Sequence, residues 1–389
     1  MESRERNVGI DLLRSVAMFM VAVLHVLGQG GILKAAEDSP GQFYAAWFLE
    51  IAAYCAVNCY ALISGYVGLY SKHRYSSLAE LWLRVVYYTV IFTIVFKLLL
   101  PDYITPSYFI KAFMPVSTGQ YWYFSAYFLM FLFLPLIKPG LRTLSKKQIQ
   151  FTLASIILLL TVTAPSVSIF LEESKRDVFL INSGFSMLWL LVLYILGAYI
   201  RRFDAFKNIG KLKSAVGYLS MVLLTWGAKY LSDMIEAVNK DHELLLNVTA
   251  ALLKRTVSYR SPTIALSGLF LFLFFINLKL PDFMKRLATF FAPVSFSVYL
   301  IHTNPLIWKT FMNKTFVSFS AFPVPKLIIA VLGSALAIFI GCALADKIRD
   351  AVFRKLKVKN HLVALENKFL SKLRQEEAET TNERFKSES

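Results

Sequence analysis

Apolar residues occur along this chain in long runs, and many of these runs are close to twenty residues in length. An α-helix of that length spans the hydrocarbon core of a bilayer, which is about 30 Å thick. The pattern therefore predicts an all-α membrane protein, a bundle of about ten transmembrane helices. The predicted spans are residues 10–29, 43–69, 84–100, 121–137, 149–165, 184–200, 214–231, 261–278, 288–308 and 326–345.

The composition agrees with lipid as the solvent of this chain. Hydrophobic residues make up 57% of the 389 residues and charged residues 17%, more apolar surface than a soluble domain of this length needs. Cys55, Cys59 and Cys342 all fall inside apolar runs, so the sequence indicates neither a disulfide framework nor a zinc site.

The net charge of +17 is distributed in a way that indicates membrane orientation. No basic run is interleaved with aromatic residues on a soluble domain, so we expect no nucleic-acid partner. Lysine and arginine recur in alternate loops, which predicts a cell (inner or plasma) membrane protein with both termini in the cytoplasm. The loops assigned to the cytoplasm carry Lys72, Arg74, Arg84, Lys138, Arg142, Lys146, Lys147, Arg201, Arg202, Lys207, Lys211, Lys213, Lys279, Lys285 and Arg286. The opposite loops carry Asp102, Glu172, Glu173, Asp177, Asp233, Glu236, Asp241 and Glu243.

Two further segments differ from the spans. Residues 244–253 are apolar but too short to cross, which predicts an interfacial or re-entrant helix. We expect a transmembrane domain over residues 1–345. Residues 346–389 are then a cytoplasmic tail, a basic amphipathic helix on anionic lipid followed by a disordered, Glu-rich end. Asp11 and Arg14 interrupt the first apolar run, so we interpret it as a span rather than a cleaved signal peptide.

The first predicted helix carries three ionisable residues on one face. Asp11 and Arg14 are three residues apart, and His25 follows Arg14 by eleven residues, close to three turns. Ionisable side chains within spans are costly and mark functional sites by default. The alternative is that Asp11 and Arg14 pair at the interface and His25 hydrogen-bonds to a neighbouring helix.

Other polar motifs lie on the predicted second, fourth and ninth helices. Residues 57–66 read VNCYALISGY, residues 120–123 read QYWY, residues 134–136 read LPL, and residues 293–302 read PVSFSVYLIH. Together with Arg14 and His25, this ordered series resembles acyltransferase family 3. These are integral-membrane O-acyltransferases of about ten helices, and the resemblance covers residues 6–345.

The resemblance implies transfer of an acyl group, usually acetyl from acetyl-CoA, to a hydroxyl of a cell-surface carbohydrate. It maps the family's essential arginine and histidine onto Arg14 and His25, its serine-glycine motif onto Ser64 and Gly65, and a third-helix arginine onto Arg84. Relatives often carry a second arginine three residues earlier, where this chain has Leu81. Lys72 and Arg74 are the nearby cations that would compensate.

The residue chemistry fits such a reaction. Histidine titrates near neutrality, so His25 suits a general base for a hydroxyl. Glu50 is expected at a similar depth and would orient the imidazole; the alternative is that it reaches the outer interface. Arg84, Lys72, Arg74 and Arg142 suit the phosphates of a cytoplasmic acyl-CoA, although each could serve only as an orientation signal. Ser64 is grouped with this donor segment, with helix packing as its alternative role.

A third group of residues is assigned to the acceptor or to support of the site. His302 in the outer half could bind the acceptor, move a proton or make a structural hydrogen bond. Trp122 and Tyr123 suit either sugar stacking or an aromatic belt at the interface. Tyr299 and Asp11 complete this group.

The leading hypothesis is a membrane O-acyltransferase that uses acetyl-CoA or another acyl-CoA as donor substrate. Its acceptor would be a cell-surface or lipid-linked glycan, and it would need no bound cofactor and no metal. The alternatives are a transporter of a sugar or charged substrate, and an acyl carrier that passes acetyl to a separate extracellular partner.

Overall fold

The computed structural model describes residues 7–163, 177, 179–239 and 244–387 of the chain, with side chains as far as residue 376. The described residues form helices and connecting turns without any β-strand, so the predicted all-α class is confirmed. Glu172, Glu173, Asp241 and Glu243, which entered the orientation argument, lie outside the described residues.

The helices of the first half are α1 Val8–Leu27, α2 Ile32–Ala35, α3 Pro40–Tyr54, α4 Ala56–Gly68, α5 Tyr75–Leu99, α6 Pro106–Phe113, α7 Trp122–Thr143 and α8 Lys146–Leu158. Those of the second half are α9 Met187–Phe203, α10 Lys211–Val238, α11 Leu244–Lys254, α12 Pro262–Ile276, α13 Asp282–Phe291, α14 Ser295–His302, α15 Pro305–Ile307, α16 Val324–Lys355 and α17 Val358–Ser387.

Five described segments are long and apolar enough to cross a membrane by length and composition. They are residues 8–27, 40–68, 75–99, 122–143 and 324–355. The chain is therefore a multi-pass membrane protein. The count of ten spans and the cytoplasmic position of both termini stay predictions.

α1 lies at the centre of the bundle, where it packs against α3, α4, α13, α14 and α16. Its most apolar 18-residue window is 72% buried, whereas the corresponding windows of α5, α7 and α16 are 28% buried. The outer helices thus present their apolar side chains to lipid, and the helix that carries Asp11, Arg14 and His25 lies in the protein interior. That position satisfies the rule that ionisable groups inside a membrane face the bundle.

Glycines set the close approach of α4 to α9. A Cβ on Gly65 would lie 1.9 Å from the carbonyl oxygen of Tyr194, and a Cβ on Gly197 would lie 2.1 Å from that of Leu62. Small residues that bring backbones together are typical of helix pairs in membranes. The neighbouring Ser64 Oγ donates to the carbonyl of Tyr60 in its own helix, 2.9 Å away, which fits its alternative role in helix packing.

The ninth predicted span, residues 288–308, is not one helix. The chain forms α13, α14 and α15 there, with breaks at Ala292–Val294 and Thr303–Asn304. Pro293 lies in the first break and has no N–H to donate, and Pro305 explains the second, because Asn304 before it has an extended ψ of 131°. Asn304 then caps α15 by accepting from the Leu306 amide at 3.1 Å. The break leaves His302 at the last turn of α14.

The two segments outside the predicted spans are helical. α11, over the predicted interfacial or re-entrant stretch, packs along α10, and Ser232 Oγ donates to the carbonyl of Ala250 at 3.1 Å. The domain boundary expected after residue 345 lies within α16, which continues to Lys355. After a turn in which Lys357 has a φ of +50°, helix α17 docks on α5 and continues to Ser387, through the Glu-rich end expected to be disordered.

Glu366 makes that docking contact. Its carboxylate accepts from the Tyr75 amide at 2.7 Å and from Ser76 Oγ at 2.5 Å, at the N-terminus of α5, where the N-cap residue Arg74 offers no side-chain cap. A carboxylate there complements the helix dipole. Leu365 and Phe369, four residues apart on α17, are exposed, as a lipid-facing stripe requires.

The glycine contact predicts opposite effects for two matched substitutions. Gly65→Ala should lower the thermal unfolding midpoint in detergent, because overpacking of this kind costs about 1–3 kcal/mol. Gly227→Ala on α10 should leave it unchanged or raise it, because nothing lies within 4 Å of the new Cβ and alanine gains up to about 1 kcal/mol of helix propensity over glycine. Equal midpoints for the two variants would contradict the packing.

The Glu366 contact predicts a pH-dependent attachment of the tail. Burial acts to raise the pKa of Glu366, but hydrogen bonds from Ser76 and the Tyr75 and Ser76 amides outweigh it and lower the pKa below its usual value. A lowered pKa means that the contact stabilises the protein above the unfolded pKa and is lost as pH falls through the folded value. Glu366→Gln should therefore speed proteolytic cleavage of the tail at neutral pH. Lowering the pH should have the same effect on the wild-type protein. The control variant Lys368→Gln should be cleaved at the wild-type rate at neutral pH.

Candidate functional site

A cavity with about 450 Å³ of empty space, its open mouth included, lies beside α1. It is at the end of the bundle where α1 ends and where α7 and α12 begin. Eleven residues line it: Met18, Val21, Leu24, His25, Val57, Tyr60, Trp122, Tyr123, Tyr259, Phe296 and Tyr299. An apolar pocket with a few polar groups is the usual form of a small-molecule site.

His25 contributes an imidazole to the lining of this cavity, and a second histidine makes a hydrogen bond to its ring. His25 Nδ1 lies 2.8 Å from Nε2 of His302, which comes from α14, 277 residues further along the chain. The indole of Trp308 meets the His25 ring edge-on, with ring centroids 4.7 Å apart. His302 is 2% exposed, whereas His25 is half-buried.

The hydrogen bonds of this pair determine its tautomers. His302 Nδ1 lies 2.5 Å from the carbonyl oxygen of Val298, which only accepts, so Nδ1 of His302 carries a proton. In the neutral ring, Nε2 of His302 is then an acceptor, and Nδ1 of His25 is its donor. The proton of neutral His25 is thus on Nδ1, and its Nε2 carries a lone pair. That lone pair is what a general base needs.

Aromatic residues form most of the remaining wall. Trp122, Tyr123 and Tyr299, predicted as residues of the acceptor or of support, all line the cavity with His25. Tyr60 also lines it, and its hydroxyl donates to the carbonyl of Arg14 at 2.7 Å. The sequence analysis named neither Tyr60 nor Tyr259 as a site residue. Tyr60 had one signal, its place in the 57–66 motif, and Tyr259 lies among polar and basic residues of a loop without a motif.

Asp11 and Arg14 lie further along the α1 face that lines the cavity. Arg14 Nη1 pairs with Asp11 Oδ1 at 3.0 Å, with the arginine side chain 31% exposed and the aspartate 3%. Arg14, Met18, Val21 and His25 follow one another at helical spacing, so the shared face predicted for Arg14 and His25 is present. Helical rise separates the two residues by roughly 16 Å, and Arg14 does not itself line the cavity.

Glu50 occupies a different place from His302. It is 9% exposed on α3, it interacts electrostatically with Tyr54 and Tyr259, and its Oε2 has no hydrogen-bond partner among the described residues. The expected orienting contact to His25 comes from His302 instead. Within the described part of the chain, no three His, Cys, Asp or Glu side chains come together in the way that a metal ion requires.

The predicted donor-binding cations lie at the opposite end of the bundle. Arg142 donates from Nη2 and Nε to the carbonyl of Leu69 at 2.6 and 3.1 Å, which caps the C-terminus of α4. Arg84 donates to the carbonyl of Pro293 at 3.3 Å, and its buried Nε has no partner among the described residues. Lys72 and Arg74 are exposed in the turn between α4 and α5.

A buried ionic cluster near Arg84 was not predicted from the sequence. Asp346 and Arg349 on α16 form a two-point ion pair at 2.8 Å, and Tyr88 on α5 donates to Asp346 at 2.6 Å. The one sequence signal is the three-residue spacing of opposite charges at the end of an apolar run. The cluster fixes α16 against α5 beside Arg84.

Comparison with protein families identifies the chain. A family model described as an acyltransferase domain matches residues 7–346, a region that contains His25, the whole cavity wall and His302. Searches of the curated proteins and of the solved structures returned no match.

The hydrogen-bonded histidines predict a specific nitrogen spectrum. In protein labelled with nitrogen-15 at histidine, His25 should show a protonated Nδ1 and an unprotonated Nε2 at neutral pH. His302→Phe should abolish that preference, because Nδ1 of His25 then loses its acceptor, whereas His361→Phe on exposed α17 should leave the His25 signals in place. A His25 ring protonated on Nε2 in the wild type would refute the tautomer assignment.

Proposed function

The chain belongs to acyltransferase family 3 and is a membrane acyltransferase, and we propose that it moves an acyl group, acetyl by preference, from acyl-CoA to a hydroxyl of an extracytoplasmic or lipid-linked glycan. The observation that carries this proposal is the hydrogen-bonded histidine pair, which presents the Nε2 lone pair of His25 at an aromatic cavity.

In the proposed reaction, His25 Nε2 takes the proton of the acceptor hydroxyl. The hydroxyl oxygen attacks the thioester carbonyl, and a tetrahedral oxyanion forms. When this intermediate collapses, the new oxygen–acyl ester bond is kept, the carbon–sulfur bond breaks, and the thiolate of CoA takes the proton from His25. The products are the acylated glycan and free CoA, and the histidine returns to its starting tautomer.

His302 is the positioning residue for this step. Its Nε2 accepts from Nδ1 of His25, so the ring cannot present the wrong tautomer and cannot turn away from the cavity. The same hydrogen bond strengthens when His25 becomes an imidazolium, because a charged donor makes a stronger bond. This is the role that a carboxylate performs in the familiar catalytic triad, here assigned to a neutral histidine backed by a carbonyl.

We propose that the donor approaches from the opposite, cationic end. The CoA phosphates would be bound by Arg84, whose buried Nε has no partner among the described residues, and by the exposed Lys72 and Arg74. Lys72 and Arg74 would take the place of the second arginine that relatives often carry where this chain has Leu81. Arg142 contributes less to donor binding in this proposal, since its guanidinium already caps α4. The pantetheine arm would pass along the Arg14 face of α1 to bring the thioester to His25.

The test is turnover of acetyl-CoA by the purified protein in lipid nanodiscs. His25→Ala should lower the rate of CoA release and of labelled acetyl transfer to extracted cell-envelope glycan by about a hundredfold or more, the usual contribution of a general base. The matched control is His361→Ala, because His361 is exposed on α17 and far along the chain from the cavity.

Wild-type turnover by His25→Ala, with the protein folded and inserted, would refute the mechanism. A wild-type protein that neither binds nor consumes acetyl-CoA would refute the proposed reaction itself.

A further inference from the structure

Tyr259 contributes a ring to the cavity from outside any helix. It lies in the turn between α11 and α12, it is 6% exposed, and it lines the same cavity as His25. Its ring contacts those of Tyr54 and Phe185, with centroids 4.8 and 4.7 Å away. The indole of Trp122 lies 6.2 Å away with the two planes 29° apart. Two aromatic rings whose planes are 29° apart therefore line the cavity that His25 also lines.

A buried amide holds this turn in place. Asn58 on α4 is fully buried, and its Nδ2 donates to the carbonyl of Tyr259 at 2.9 Å. Its Oδ1 accepts from Nε1 of Trp189 on α9 at 3.1 Å. Both functional groups of the amide are thus used to connect three separate elements. In a buried site, removal of either partner leaves a polar group without a hydrogen bond, which is costly. The Asn58 amide therefore fixes the position of the Tyr259 turn relative to α4 and α9.

The opposite side of the Tyr259 turn is equally restricted. Gly184 has a φ of +101°, and a Cβ there would lie 2.5 Å from Cβ of Tyr259. No other residue fits that conformation and that space without moving the tyrosine. The position of Tyr259 is therefore fixed by Asn58 on one side and by Gly184 on the other, although neither residue lines the cavity.

Aromatic rings held in fixed positions beside a histidine suit a ligand that has an apolar face and hydroxyls at its edge. A pyranose ring has that shape, because its axial C–H groups form an apolar face that packs on aromatic rings while its hydroxyls point outward. An extended acyl or pantetheine chain has no flat face to pack on the two rings, so it gains less from them than a pyranose ring does.

We propose that Tyr259 and Trp122 form the platform on which a sugar ring of the acceptor rests, and that Asn58 is the positioning residue that sets it. The platform aligns one hydroxyl of that sugar with Nε2 of His25. This inference rests on the proposed function and adds to it the subsite that recognises the acceptor.

The experiment uses the full chain in nanodiscs, with acetyl-CoA and extracted cell-envelope glycan as the two substrates. Tyr259→Leu should raise KM for the glycan about three- to tenfold, the range expected for loss of one aromatic stacking contact, without a matching rise in KM for acetyl-CoA. Tyr259→Phe, which keeps the ring, should recover most of the lost glycan affinity. Asn58→Leu should act in the same direction as Tyr259→Leu, because it releases the turn that carries the ring.

Tyr230→Leu is the matched control, since Tyr230 is exposed on α10 and outside the cavity. If Asn58→Leu fails to fold, the comparison of Tyr259→Leu with Tyr259→Phe still decides the point. An unchanged KM for glycan in Tyr259→Leu would overturn the platform while leaving the acyltransferase proposal intact. A rise confined to KM for acetyl-CoA would also overturn it and assign the rings to the donor arm. Absence of acetyl-CoA turnover in the wild type would overturn the proposed function, and the platform with it.

Discussion

Lipid offers no hydrogen bonds, and the rest of this structure follows from that constraint. Every backbone group at membrane depth must find its partner within the protein, which makes the helix the available form for the described spans. Polar side chains obey the same rule, and those of Asn58, His302 and Asp346, which are at most 2% exposed, all have hydrogen-bond partners within the protein. Where Pro305 begins α15, the side chain of Asn304 accepts from the Leu306 amide and so satisfies one of the free donors at that helix end.

The same constraint explains why the two halves of the proposed reaction lie at opposite ends. Cations reach water at the end where α4 ends and α5 begins, and there they bind helix carbonyls or remain exposed. The histidine pair lies at the other end, beside a cavity lined mostly by aromatic rings. Arg14 and His25 share one face of α1, so in the proposed reaction this helix would connect the cationic end with the histidine pair.

The group that orients His25 shows that two residues at a similar depth in the membrane need not be in contact. Glu50 and His302 both fall in the outer half by sequence, and either could have held the imidazole. The break before Asn304 ends α14 at His302, and this short helix packs on α1 and α16. Its last turn carries the ring that accepts from His25, whereas Glu50 lies next to Tyr54 and Tyr259. A sequence shows how deep a residue lies, but the rotation and tilt of a helix decide its neighbours.

The sequence by itself determined the solvent, the helical class, the family, and the position of Arg14 and His25 on one face of α1. It could do so because apolar run length, helical spacing and ordered motifs are local properties of the chain. Only the tertiary structure decided that His302 fixes the tautomer of His25, that Tyr259 joins the cavity through Asn58, and that Glu366 caps α5. Each of these contacts joins residues about 200 or more positions apart. Such pairs form because packing brings them together, and no period or motif in the sequence records them.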